Sequence, residues 1–241
     1  MPSGNRLTLV LSSLLFGAAL AGRTGLAQES APPLPPPRPD AAQAPAGREG
    51  GPGNAEAPLE SLLPADPACL ESLTRLGVRF EPRQSFAEGA CRVHGPVLVS
   101  GLPDGVDVSP PALMTCPMAE GLARWILDTV LAAADRHFQT APTKVVIGTS
   151  YECRNQRSGA KLSEHAFGNG VDVMGFAFHK RAPLSVGSHP EASAEAGFQS
   201  AVQKGACAAF TTVLGPGSDA DHGDHLHLDL RGRRGDYRIC Q

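Results

Sequence analysis

The chain has 241 residues, with 21 Lys and Arg against 24 Asp and Glu, so its formal net charge at pH 7 is −3. That balance gives no sign of the basic face that nucleic-acid binding requires, and we expect no nucleic-acid partner. The length suffices for one well-cored domain with appended segments.

Residues 1–27 have the pattern of a secretory signal peptide. Arg6 precedes an apolar run over residues 7–22, and small residues precede Gln28 as at a cleavage site. The run is short for a membrane span, and no stop-transfer pattern follows it. We therefore predict an exported protein, periplasmic or associated with the cell envelope, with no stable membrane span in its mature form. The alternative is an uncleaved anchor.

Residues 28–64 are rich in Ala, Pro, Gly and Glu, and Pro32–Pro39 holds six prolines in eight positions. Such a composition cannot bury a core. We predict a disordered linker that spaces a folded domain, residues 65–241, from a surface.

The folded domain begins with helix and strand signals. Residues 71–80 predict a short helix that ends at Gly77 and then a strand, and residues 96–102 predict another strand. Residues 109–138 predict the longest helix, because Ser109 and the prolines after it suit a helix start. One apolar stripe runs along that helix, formed by Met118, Leu122, Trp125, Ile126 and Thr129.

The second half alternates strands with a helix. Strands are predicted over residues 143–153, with a loop at the end, and over 170–178 and 225–231, and a helix over 191–215. The order predicts an α+β fold, in which helices pack on a small, mainly antiparallel sheet.

The six cysteines are an even number in a chain that we expect to be exported, so we predict disulfides. The predicted pairs are Cys69–Cys91, which are close in sequence, and Cys207–Cys240, which would fix the last residues. No CxxC pair occurs, which argues against a cysteine zinc site.

The strand at 225–231 alternates strictly between polar and apolar residues. His225, His227 and Asp229 share one face, and three leucines share the other. Further ligands must come from elsewhere, and Ser163–Val173 supplies His165 and Asp172 with glycines between them. Two histidines and an aspartate suit Zn²⁺ and leave one position open, which predicts a zinc site on the sheet face.

These two segments carry a resemblance to a known group of proteins. SEHAFGNGVD resembles the S-x-H-x-x-G-x-x-x-D motif of the zinc D,D-carboxypeptidase and murein endopeptidase superfamily, which includes the hedgehog signalling domain. HGDHLH resembles its closing H-x-x-H-x-H motif. Over about residues 65–241 the arrangement looks like the bacterial domain called extensin-like, C-terminal.

The resemblance implies roles for individual residues. His165, Asp172 and His227 would be the zinc ligands, and Ser163 would hold the loop by a hydrogen bond near the first of them. Arg154 would polarise the scissile carbonyl and stabilise the oxyanion.

The general base is left open between two residues. Some relatives have an acid three residues before the last ligand, here Asp224, and others a histidine five before it, here His222. Asp224 is favoured, and His225 would orient the base or stabilise developing charge. The aspartates Asp219, Asp221 and Asp229 are interpreted as caps, turn residues or salt-bridge partners.

The resulting functional hypothesis is an exported, monomeric, zinc-dependent peptidase that hydrolyses amide bonds in peptidoglycan or similar wall peptides, next to a D-amino acid. The alternative is a non-catalytic zinc-containing module that binds wall peptides. A structural wall protein ranks last, because the Pro-rich segment is short and unrepeated.

Overall fold

The computed structural model describes residues 65–157 and 159–241, so the predicted signal peptide and linker lie outside the described residues. The helices are α1 (Pro67–Arg75), α2 (Cys116–Trp125), α3 (Leu131–Phe138) and α4 (Ala194–Ala206), and a π-helical turn, Ile126–Val130, joins α2 to α3. The strands are β1 (Arg79–Pro82), β2 (Phe86–Glu88), β3 (Cys91–Val93), β4 (Pro96–Gly101), β5 (Asp107–Thr115), β6 (Pro142–Ile147), β7 (Gly170–Phe178), β8 (Leu184–Ser185), β9 (Thr212–Leu214), β10 (Leu226–Asp229) and β11 (Ile239–Cys240).

One sheet organises the domain. Its order is β1-β4-β5-β6-β7-β10-β9-β11, with β8 paired to β7, and β2 and β3 form a separate hairpin. Only the β5–β6 and β9–β11 pairs of this sheet are parallel. The α+β class and the mainly antiparallel sheet are thus confirmed, although the sheet has nine strands and is not small.

The predicted start of the long helix is wrong. Residues 107–115 form strand β5, and α2 begins only at Cys116, with Thr115 as its N-cap. Pro110 and Pro111 lie between the part of β5 that pairs with β6 and the part that pairs with most of β4. Since proline has no N–H to donate, the chain tolerates it where the ladder is interrupted. Pairing on both sides therefore outweighs the local helix-start signal.

Three disulfides cross-link the domain. Cys207–Cys240 is confirmed, but the predicted Cys69–Cys91 pair is wrong. Cys69 instead joins α1 to the start of α2 through Cys116, and Cys91 joins the β2–β3 hairpin to the loop after β6 through Cys153. Nearness in sequence misled the prediction, because helix packing and the hairpin position decide which sulfurs meet. Three disulfides are typical of proteins from oxidising compartments.

Strand β10, which carries His227, is paired on both edges and packed on the main core. It lies between β7 and β9, and its Leu226 and Leu228 are fully buried in the main core with Trp125 of α2 and Phe198 of α4. The opposite face of β10 is thereby held in a fixed position. Among the described residues, no helix has the length and apolar character to span a membrane.

Candidate metal centre

Three predicted ligands converge on one point. His165 Nε2 lies 3.2 Å from Asp172 Oδ1 and 3.2 Å from His227 Nδ1, and His227 Nδ1 lies 2.9 Å from Asp172 Oδ1. Asp172 in β7 and His227 in β10 are direct partners in the antiparallel ladder, so strand register alone brings them together. His165 comes from a short 3₁₀ helix, Glu164–Phe167, just before β7.

Local capping fixes the position of His165. Ser163 is the N-cap of the 3₁₀ helix, and its hydroxyl accepts a hydrogen bond from the His165 amide. Gly168, at φ 62°, ends the helix in the left-handed conformation that favours glycine. The His165 ring is buried, and its Nδ1 donates to the Ser150 carbonyl at 2.8 Å. Its Nε2 therefore presents a lone pair to the cluster.

A second carboxylate orients His227. Asp229 Oδ2 lies 3.0 Å from His227 Nε2, on the side of the ring opposite Asp172. A metal-ligating histidine commonly donates its other N–H to such a carboxylate, which fixes the ring and its tautomer. The sequence predicts Asp229 to be a cap, a turn residue or a salt-bridge partner, and its pairing with His227 agrees with the last of these. The signal for its role was the alternation that puts it on the same strand face, two residues after His227.

The donor set fits a zinc ion. The Ser150 carbonyl accepts the N–H of His165 Nδ1, and Asp229 accepts that of His227 Nε2. The other nitrogen of each ring and the Asp172 oxygen are then three acceptors that face one another. A proton or a cation must lie between them. Ligands of a tetrahedral zinc with bonds of about 2.0–2.1 Å are about 3.3 Å apart. The three separations of 2.9–3.2 Å are close to that value.

Opposing effects set the charges in the metal-free cluster. Burial acts to lower the pKa of His227, but hydrogen bonds to Asp172 and Asp229 and their negative charges outweigh it and raise this pKa to about 9. Burial acts to raise the pKa of Asp172, yet its contacts with the His165 and His227 rings hold this pKa well below its usual range. At neutral pH, His227 is thus protonated between two ionised carboxylates.

We expect zinc binding at pH 7 to release about one proton. His227 Nδ1 must lose its proton to coordinate, and the pKa of His227 near 9 lies above the working pH. Between pH 9 and pH 7 the apparent zinc affinity should fall about 50-fold, because the fraction of His227 without the competing proton falls from about one half to about one hundredth. Calorimetry in two buffers of different ionisation enthalpy measures this release. Identical heats in both buffers at pH 7 would contradict it.

Two further histidines flank the cluster, each paired with an aspartate. The His222 ring lies 5.8 Å from the His227 ring, and its Nδ1 is 2.7 Å from Asp219 Oδ1. His225 Nε2 lies 3.8 Å from Asp172 Oδ1, while its Nδ1 is 2.9 Å from Asp224 Oδ1. Asp219 also caps the 3₁₀ helix that holds His222, by accepting from the His222 amide.

The two candidate bases differ in exposure. The Asp224 side chain is 79% exposed and pairs with His225, whereas the His222 side chain is 20% exposed. Hydrogen bonding to His225 lowers the pKa of Asp224, and hydrogen bonding to His222 lowers that of Asp219.

Arg154 lies on the loop beside the cluster. Its carbonyl accepts a hydrogen bond from the Ser163 amide, which ties this loop to the turn that carries His165. Its guanidinium pairs with Glu152 at 2.7 Å. The Cys91–Cys153 disulfide fixes the same loop to the β2–β3 hairpin.

Fold and site together define a disulfide-stabilised α+β domain with a His/Asp cluster that can hold a metal ion. The family model described as extensin-like protein C-terminus matches residues 67–241, and the chain belongs to this family. The extensin-like part of the resemblance is thereby confirmed. No curated protein matches the chain, and no solved structure matches it.

Proposed function

We propose that the protein is an exported, monomeric, zinc-dependent peptidase, related to the D,D-carboxypeptidase and murein endopeptidase superfamily. It hydrolyses amide bonds in peptidoglycan or similar wall peptides, next to a D-amino acid. The observation that carries the proposal is a three-ligand cluster flanked by two histidine–aspartate pairs. Structural zinc sites are closed by four protein ligands, while catalytic sites have three and keep one position open.

The zinc supplies Lewis acidity that polarises a carbonyl and lowers the pKa of water to about 7. His165, Asp172 and His227 hold the metal, and Asp229 and the Ser150 carbonyl keep the two rings oriented. Arg154 stabilises negative charge on the carbonyl oxygen after release from Glu152, its partner in the free protein.

His222 suits the role of general base. Asp219 holds its Nδ1, so Nε2 is free to accept a proton from the attacking water and return it to the leaving amine. The Asp224 carboxylate contacts His225 instead, and this pair suits the stabilisation of developing charge beside Asp172. This choice of His222 as the base differs from the choice of Asp224 that the sequence favours. Asp224 as the base stays an untested prediction.

Digestion of defined substrates tests the proposal. The protein, loaded with one equivalent of zinc, is incubated with isolated sacculi and defined muropeptides, and the products are identified by mass spectrometry. We expect amide cleavage next to a D-amino acid, loss of cleavage on chelation and recovery on readdition of zinc. Intact substrates after incubation with fully loaded protein would contradict the peptidase proposal.

A second candidate is a zinc-containing module that binds wall peptides without cutting them. The approach of His225 Nε2 to within 3.8 Å of Asp172 Oδ1 favours it, because a small shift of this ring would supply a fourth ligand. X-ray absorption of the zinc protein distinguishes the two. Three histidine nitrogens and one carboxylate oxygen, without a water oxygen, would support the binding module.

A further inference from the structure

A short excursion of the chain borders the metal cluster. It leaves at Arg154 and returns at Ser163, whose amide bonds the Arg154 carbonyl. An isolated antiparallel bridge joins Asn155 to Leu162, and the Gln156 amide donates to the Lys161 carbonyl at 2.8 Å. Arg157, the next residue, is therefore carried at the edge of the loop that leads directly into His165.

Arg157 reaches from this excursion to the turn that carries His222. Its Nη1 lies 3.1 Å from Asp221 Oδ1, on the residue just before His222. Its positive charge also contributes to the lowered pKa of Asp224, next to His225. One guanidinium thus connects the loop before the first metal ligand with the turn that carries both flanking histidines.

This ion pair can exchange partners easily. The side chains of Arg157 and Asp221 are 67% and 57% exposed, and an exposed pair of this kind contributes little to stability. A planar guanidinium matches a carboxylate with two parallel hydrogen bonds, which are stronger and more specific than one. Arg154 is less available, because its side chain is only 32% exposed and its Nε is held by Glu152.

We propose that Arg157 binds the free terminal carboxylate of the substrate peptide, in place of Asp221. The protein then removes residues from peptide ends in preference to opening internal bonds, since an internal residue offers no α-carboxylate. Arg157 is a specificity-determining residue and takes no part in bond cleavage. This inference rests on the proposed peptidase function.

The test compares two matched substrates, an acylated D-alanyl-D-alanine with a free carboxylate and the same peptide as a primary carboxamide. We expect zinc-loaded wild-type protein to prefer the acid by about 10- to 100-fold in kcat/KM, the range for a charge-assisted bidentate contact. Arg157→Ala should raise KM for the acid peptide and so lose the preference. The kcat for the acid and the cleavage of the carboxamide should stay nearly unchanged. Arg157→Lys should retain part of the preference.

Arg75→Ala is the matched control, because Arg75 forms a similarly exposed pair with Glu71 on α1. It should leave the preference intact. Equal effects of Arg157→Ala on both peptides, or no effect on either, would overturn the inference.

A binding measurement separates this inference from the proposed function. If wild-type protein cleaves neither peptide, calorimetric titration of the zinc-loaded protein with each peptide shows whether Arg157 still binds the carboxylate. Acid-selective binding that Arg157→Ala abolishes would uphold the role of Arg157 while the peptidase proposal fails. Binding without acid selectivity, or no binding, would refute both.

Discussion

His227→Ala should lower zinc affinity by about 10²–10³-fold and abolish hydrolysis. A structural zinc site contributes about 10–16 kcal/mol through four ligands, or about 2.5–4 kcal/mol for each ligand. Each 1.4 kcal/mol changes the affinity tenfold. The loss also leaves Asp172 and Asp229, both buried, without the imidazole between them. Competition with a chromogenic chelator measures the affinity, and circular dichroism shows whether the variant folds.

A graded comparison makes this result specific. Asp229→Asn keeps the shape and one acceptor for His227 Nε2, so we expect a smaller loss of zinc affinity, at most about 10- to 100-fold. His94→Ala, at an exposed histidine in the β3–β4 turn, should bind zinc like the wild type. If His227→Ala folds and binds zinc with wild-type affinity, His165, Asp172 and His227 are not the metal centre.

The elements with strong periodicity could be predicted from the sequence. Strict alternation in β10 assigned Leu226 and Leu228 to the core and His227 to the opposite face, as the structure has them. The β5 segment failed because its prolines resemble a helix start, and only its partners β4 and β6 make it a strand. Pairing with distant strands leaves no local signal.

The candidate site also has a part that the sequence predicts and a part that it does not. Motif spacing and strand alternation identified the three residues that converge, His165, Asp172 and His227. They did not reveal which aspartate orients which histidine, because side-chain contacts depend on rotamers and on the turn geometry around Gly223. The pairing of Asp219 with His222, and of Asp224 with His225, is evident only in the folded structure.

These pairings lead to the second large effect, which concerns the base. His222→Ala should lower kcat by about 10²–10⁴-fold, the usual contribution of a positioned general base, with zinc content unchanged. Asp224→Ala should have a clearly smaller effect, because this exposed carboxylate acts only through His225. Single-turnover rates with measured zinc stoichiometry compare the two.

Asp219→Asn makes the comparison decisive. It removes the charge that holds His222 but leaves the His222 ring in place, so its kcat should lie between wild type and His222→Ala. If Asp224→Ala instead loses more activity than His222→Ala, and Asp219→Asn is silent, then Asp224 is the base. In that case the Asp224 carboxylate must leave His225 Nδ1 when substrate binds, because the two groups are 2.9 Å apart in the free protein.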